Sequence, residues 1–253
     1  MTAGSVSQAG PAAGGAAVTA QAARQTHARI VQVLRGLLTA RHRSPLDPAF
    51  AAAYREFIAL FEQYQRELLE SEHRVPSCGP GCTACCGHWV EDVNSFEVEM
   101  IAERLRRRHP ECVAAIVAAC RRDMAAMEGL DRDMGAAGGG EPLDRVDRLL
   151  NAFYALRRPC PLLTGERLCL VYDVRPLTCR VYYSFSPPSR CDPGCADEGD
   201  VPTCLVDLEE SASALLDELH GRYDRFDNDT SLRSVLVACL APGAGDAGTE
   251  GGP

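Results

Sequence analysis

The sequence predicts a mainly α fold, with helices set around an irregular, loop-rich core that cysteines and metal organise. Three observations carry this. Apolar residues recur at helical spacing in several segments. No segment shows the sustained alternation of a large sheet. The middle of the chain gathers cysteines among Gly and Pro: the stretch "SCGPGCTACCGHW", residues 77–89, holds Cys78, Cys82, Cys85 and Cys86.

Residues 1–22 are rich in Ala, Gly and Ser and read as a disordered tail. From Arg24 to about Thr39, Ile30, Val31, Val33, Leu34, Leu37 and Leu38 follow a helical period. Pro45 and Pro48 break it, with Asp47 placed to cap the next helix. From Pro48 to Glu72, Phe50, Tyr54, Phe57, Ile58, Phe61, Tyr64 and Leu68 form a stripe, the core face of a long helix. Pro76 and Gly79-Pro80-Gly81 force a loop, and the first cysteine group sits on it. Asn94 and Glu97 resemble a capping box that starts a helix to about Arg108.

Pro110 resets the chain, and Glu111 to Glu128 reads as another helix. "GAAGGG", residues 135–140, is a flexible linker, and Pro142 opens a helix to about Arg157. Residues 159–204 are turn-rich and hold further cysteines. Asp207, with Glu210 as capping partner, opens a helix to about Tyr223, and Ser231 to Leu240 forms a last short one. The reading is one domain, residues 23–240, between tails 1–22 and 241–253, with its cysteine-cluster core at 78–204.

The net charge of -9 and pI near 5.2 give no general electrostatic footprint for nucleic acid or an anionic membrane. No apolar run reaches membrane-spanning length, and the first residues lack a secretory pattern. The expectation is a cytoplasmic protein with no nucleic-acid or membrane partner. In a reducing compartment, 13 cysteines point to metal binding or redox chemistry rather than to disulfides.

Cys112, Cys120 and Cys239 lie in predicted helices among Ala, Val and Ile and read as small core hydrophobes. The other ten lie in loops, where the backbone can wrap thiolates around a metal. Adjacent Cys85 and Cys86 point apart along an extended backbone, so one is a spare or the pair bridges two metals. Cys160, Cys169 and Cys179 are too widely spaced for one turn and fit a chain returning to the first group from several loops.

The blocks C-x3-C-x2-C-C and C-P-x-L-x5-C-x-V-Y-x2-R-P-x2-C-R, over residues 78 to about 182, resemble the YkgJ-like cysteine-cluster family of zinc- or iron-chelating proteins. A larger relative, flagellin lysine N-methylase, carries a similar cluster. The resemblance implies metal ligation by Cys78, Cys82, Cys85, Cys86, Cys160, Cys169 and Cys179. An eighth ligand comes from Cys191, Cys195, Cys204 or His88. Spacing does not choose among the three cysteines, and Cys195 is taken as the eighth. His88 is weighted lower, since a histidine beside a cluster more often donates to sulfur. Arg175 and Arg180 would bring positive charge to a thiolate-rich site, or pair at the surface with neighbours such as Asp173. Pro176 stiffens the turn to Cys179, and Tyr172 packs beside the site.

Three functions follow, in order. The first is an iron–sulfur or iron-binding protein with a redox or electron-transfer role and an unknown protein or redox partner, which admits an Fe–S oxidoreductase. The second is a zinc-binding structural or interaction module. The third is a protein-lysine methylase-like enzyme, against which stands the lack of a glycine-rich nucleotide loop. Radical S-adenosylmethionine enzymes share C-x3-C-x2-C, but their barrel does not match this helical pattern.

Overall fold

The computed structural model describes residues 13–79, 81–137, 142–194, 203–226 and 231–241. The expected tails at 1–12 and 242–253, and residues 138–140 of the expected linker, lie outside the described residues.

The fold is mainly α. The helices are α1 (Ala13–Thr39), α2 (Pro48–Ser71), α3 (Ser95–Arg108), α4 (Pro110–Ala137), α5 (Pro142–Ala155), α6 (Glu210–Tyr223) and α7 (Leu232–Leu240). Strands β1 (Tyr182–Ser184) and β2 (Thr203–Leu205) pair antiparallel, with Tyr183 opposite Cys204.

Two apolar cores share the work. In the first, Ile30, Leu34 and Leu37 of α1 meet Phe50, Phe57 and Phe61 of α2, and Ala212, Leu216 and Leu219 of α6 close it. In the second, α3 packs with Ile116, Val117 and Cys120 of α4 and Leu232, Val235, Leu236 and Leu240 of α7. Helix α3 serves both: Phe96 and Met100 enter the first core, and Val98, Ile101 and Leu105 enter the second. Each fully buried Leu or Phe contributes about 1.5–3 kcal/mol. The segment between α5 and α6 depends on these cores. Leu162 and Val171 are buried in the second, and Leu177 and Val181 in the first.

Several boundaries differ from the sequence reading. Helix α1 begins at Ala13, within the stretch read as tail, because Ala-rich sequence is itself a strong helix former. Helix α4 runs past Glu128 through Gly129 to Ala137, taking in the start of the expected linker. Asp47 stands at the N-cap of α2 but its carboxylate accepts from the Arg43 N–H instead (2.7 Å). Helix α6 starts at Glu210 with Glu209 at the cap, because the Asp207 carboxylate takes the adjacent Leu208 N–H. Ser231 does cap α7, accepting from the Ser234 N–H.

The expected capping box on α3 is something else. Glu97 is 2 % exposed. Its carboxylate accepts from the Tyr54 hydroxyl (2.8 Å), the Leu177 N–H (2.9 Å) and Asn94 Nδ2 (3.0 Å). Burial raises its pKa, and those donors oppose the rise. Glu97 therefore ties α2 and α3 to the short 3-10 turn Leu177–Cys179. Gln65 does the same from α2. Its Nε2 donates to the Arg180 and Val206 carbonyls (3.0 and 2.7 Å), and its Oε1 accepts from the Tyr183 hydroxyl (3.1 Å).

Glu97→Ala leaves the Leu177 N–H and the Tyr54 hydroxyl without their acceptor. At roughly 1–3 kcal/mol for each buried unpaired group, urea unfolding should show a loss of about 3 kcal/mol. Tyr54→Phe keeps the acceptor for Leu177 and should cost about 1 kcal/mol. Equal stability of the two variants would mean that the contact to Leu177 holds nothing.

Candidate metal centre

The first cysteine block turns sharply. Gly81 has φ 83°, a left-handed conformation that only glycine adopts freely. Residues Cys85–Gly87 then form a 3-10 turn rather than the extended chain read from sequence. This corrects the expectation that Cys85 and Cys86 point apart. In the turn, the Cys86 thiol donates a hydrogen bond to the Cys85 sulfur. That bond, together with the charge of Arg175, lowers the Cys85 pKa to about 6 although partial desolvation works against it. Cys86 is raised, chiefly because it is the donor.

Helix α5 fixes this turn through Tyr154. Its hydroxyl donates to the Ala84 carbonyl (3.2 Å) and to the Cys191 carbonyl, and its ring stacks on His88 at 3.7 Å. A Cβ at Gly87 would stand 3.1 Å from the Tyr154 ring, so glycine permits the close approach. Partial desolvation lowers the His88 pKa.

The second block is a series of short turns. The Leu162 N–H donates to the Cys160 sulfur, and the Val171 N–H donates to the Cys169 sulfur. These donors are the same residues whose side chains enter the second core. Between them, Leu163 bridges to Cys169, and the Leu170 N–H bonds the Leu162 carbonyl (2.9 Å). In the first block, Cys78 accepts from the Ser184 N–H at 3.3 Å, which joins it to β1.

The blocks meet. The charge of Cys85 and those of Cys160 and Cys179 raise the Cys86 pKa, and Cys179 likewise feels Cys160 and Cys85. Cys160 feels Cys169. Cys78 feels Cys82, Cys85 and Cys191. The structure thus gathers the thiols of Cys78, Cys82, Cys85, Cys86, Cys160, Cys169 and Cys179 in one region, and Cys191 joins them. Cys191 also donates to the Ser184 hydroxyl at 3.5 Å. Cys195 lies outside the described residues, and Cys204 pairs on β2. Among the described residues, no three Cys, His, Asp or Glu side chains already stand at metal-ligating distances. The donors are gathered but not closed.

The donor chemistry fits a soft or borderline metal. Thiolates suit zinc and iron, and the backbone N–H bonds to sulfur are of the kind that orient ligands and stabilise their charge. A cleft of about 980 Å³, lined in part by Cys82, Cys160, Cys191, Tyr154 and Arg158, opens onto the thiols.

Both arginines named from sequence act on the cluster. The charge of Arg175 helps lower the Cys85 pKa and opposes the burial-driven rise at Cys169 and Cys179, and that of Arg180 opposes the rise at Cys169. Arg180 is also a clamp. It pairs with Glu62 and donates to the carbonyls of Arg175 (3.0 Å), Tyr172 and Asp173 (both 3.2 Å). Asp173 pairs with Arg104 at 2.7 Å. Tyr172 stands beside the site, 59 % exposed, with its ring under the Arg175 guanidinium. Of the expected core cysteines, Cys120 is fully buried beside Cys160, whereas Cys112 and Cys239 are half-buried.

Burial raises the pKa values of Cys78, Cys160, Cys169 and Cys179 above the usual thiol value. These thiols keep their protons at neutral pH, and a metal binds thiolate. Metal uptake should therefore release protons, and affinity should rise with pH. Calorimetry in two buffers of different ionisation enthalpy measures the release. Uptake without it would exclude these thiols as ligands.

Residues 77–196 match the CxxCxxCC family, described as a "Putative zinc- or iron-chelating domain". No curated protein and no solved structure matches the chain. The match covers just under half of the chain and supports a cysteine-cluster family, with metal binding through the cysteines.

Proposed function

We propose that this protein is a cytoplasmic metalloprotein in which the two cysteine blocks hold one iron–sulfur cluster or iron centre with a redox or electron-transfer role. The observation that carries the reading is the cleft onto Cys82, Cys160 and Cys191. A structural zinc site is closed, whereas a working centre keeps an approach for a ligand or partner. Iron–sulfur clusters and thiolate-bound iron supply reversible electron transfer.

The chain's own groups serve that role. Leu162, Val171 and Ser184 give N–H donors to sulfur, and Arg175 adds positive charge beside Cys85, Cys169 and Cys179. Both features stabilise negative charge on the centre and raise a reduction potential. Tyr172, exposed on the outer side of Arg175, offers an apolar contact at this face for a protein redox partner.

A zinc-binding structural module is the second reading. Its support is that residues 156–181 fold as turns with almost no ladder of their own, the arrangement in which a metal staples loops. Anaerobic purification separates the two. Bound iron and sulfide with broad visible charge-transfer absorption is the expected result. A colourless protein with stoichiometric zinc would overturn the iron reading in favour of the zinc module.

A further inference from the structure

Among the described residues, Arg233 is the largest side chain that is buried almost completely, at 1 % exposure. It lies in the first turn of α7, beyond the segment that matches the cysteine-cluster family. An arginine in such a place has to answer for its charge and for its five N–H groups. Part of the answer is plain. Nε donates to Asp123 Oδ2 on α4 at 2.8 Å, and Nη1 donates to the His88 carbonyl at 3.2 Å. The guanidinium also lies 5.0 Å from the ring centres of both Trp89 and Phe153.

These contacts reach both cysteine blocks. His88 directly follows the Cys85–Gly87 turn. Asp123, itself buried, accepts through its other oxygen from Arg158 at 3.0 Å, and Arg158 stands two residues before Cys160. A single buried side chain thus braces the His88 end of one block and, through Asp123, the start of the other.

One donor remains. Arg233 Nη2 is buried and has no hydrogen-bond partner among the described residues. An unpaired buried donor on a charged group is costly, and such a group in a native fold calls for a partner. The Asp123 carboxylate does not supply it in this arrangement: Oδ2 accepts from Nε and Oδ1 from Arg158. The thiols on which the Arg233 charge acts are Cys160 and Cys120.

We propose that Arg233 is a positioning residue of the metal centre: its hydrogen bonds to the His88 carbonyl and to Asp123 brace both cysteine blocks, and its buried, unpaired Nη2–H is available to an acceptor at the metal-loaded centre. This rests on the reading of the cysteine blocks as one metal site. The Asp123 carboxylate already neutralises the guanidinium in the second core, so the brace stands before metal arrives.

The test uses the full chain, freed of metal by chelation and titrated with zinc ion against a chromogenic chelator. Zinc serves as the probe because it binds thiolate with no redox change. Arg233→Met should weaken zinc binding about 10–100-fold, the range for loss of a group that orients a ligand. Arg233→Lys keeps the charge without the planar fork and should fall between wild type and Arg233→Met.

Melting of each variant with and without zinc separates this from packing. A role at the centre makes the zinc-induced rise in melting temperature smaller in Arg233→Met than in wild type. A packing role alone lowers both melting temperatures equally and leaves zinc affinity unchanged, which would overturn the proposal. If Arg233→Met does not fold, Arg233→Lys binding zinc as tightly as wild type would overturn it as well. Wild-type protein that binds no zinc or iron would instead sink the metal-site reading, and this proposal with it.

Discussion

The loops that carry Cys160, Cys169 and Cys179 are held by apolar residues two positions away from each thiol. Leu162, Val171 and Val181 follow the three cysteines at that spacing, and Leu177 precedes the last. Their side chains are buried in the two cores, and Cys160 and Cys169 themselves pack against the edge of the second. At Cys160 and Cys169 the anchoring residue also turns its own N–H onto the sulfur. The hydrophobic effect thus fixes the loops, and the backbone groups left over serve the thiols. Neither core could place this segment alone, because Leu162 and Val171 enter the second and Leu177 and Val181 the first.

Around these turns the buried polar residues act as ties. Glu97 holds the Leu177–Cys179 turn, Gln65 holds Arg180 and Val206, Tyr154 holds the first block to the segment at Cys191, and Arg233 spans both blocks. Each comes from a helix whose apolar face is already packed. The helices can therefore be viewed as a frame and the cysteine turns as its cargo. Burial keeps most of the thiols protonated in the metal-free chain, which lets them gather without mutual repulsion.

Much of the frame was legible in the sequence, since the stripe from Phe50 to Leu68 and the run Leu232 to Leu240 announce their buried faces. The two cysteine blocks were legible as well, through spacing and surrounding Gly and Pro. The Cys85–Cys86 turn was not, because a 3-10 turn and an extended segment look alike over three residues. Glu97 was visible only as a capping residue, and Gln65 sat unmarked in an aromatic stripe. Arg233 carried no local signal: it becomes meaningful only when α7 folds against α4, more than a hundred residues away in the chain. That Cys191 neighbours Cys78 likewise needs the β1 geometry, which spacing does not contain.

The central claim is that both blocks form one centre, and thiol footprinting tests it most directly. The native chain is alkylated with and without its metal, and each cysteine is quantified by mass spectrometry. The account predicts that metal protects Cys82 and Cys85 together with Cys160, Cys169 and Cys179, while Cys112 on the outer end of α4 reacts alike in both states. Protection confined to one block, with the other reacting equally in both states, would contradict it.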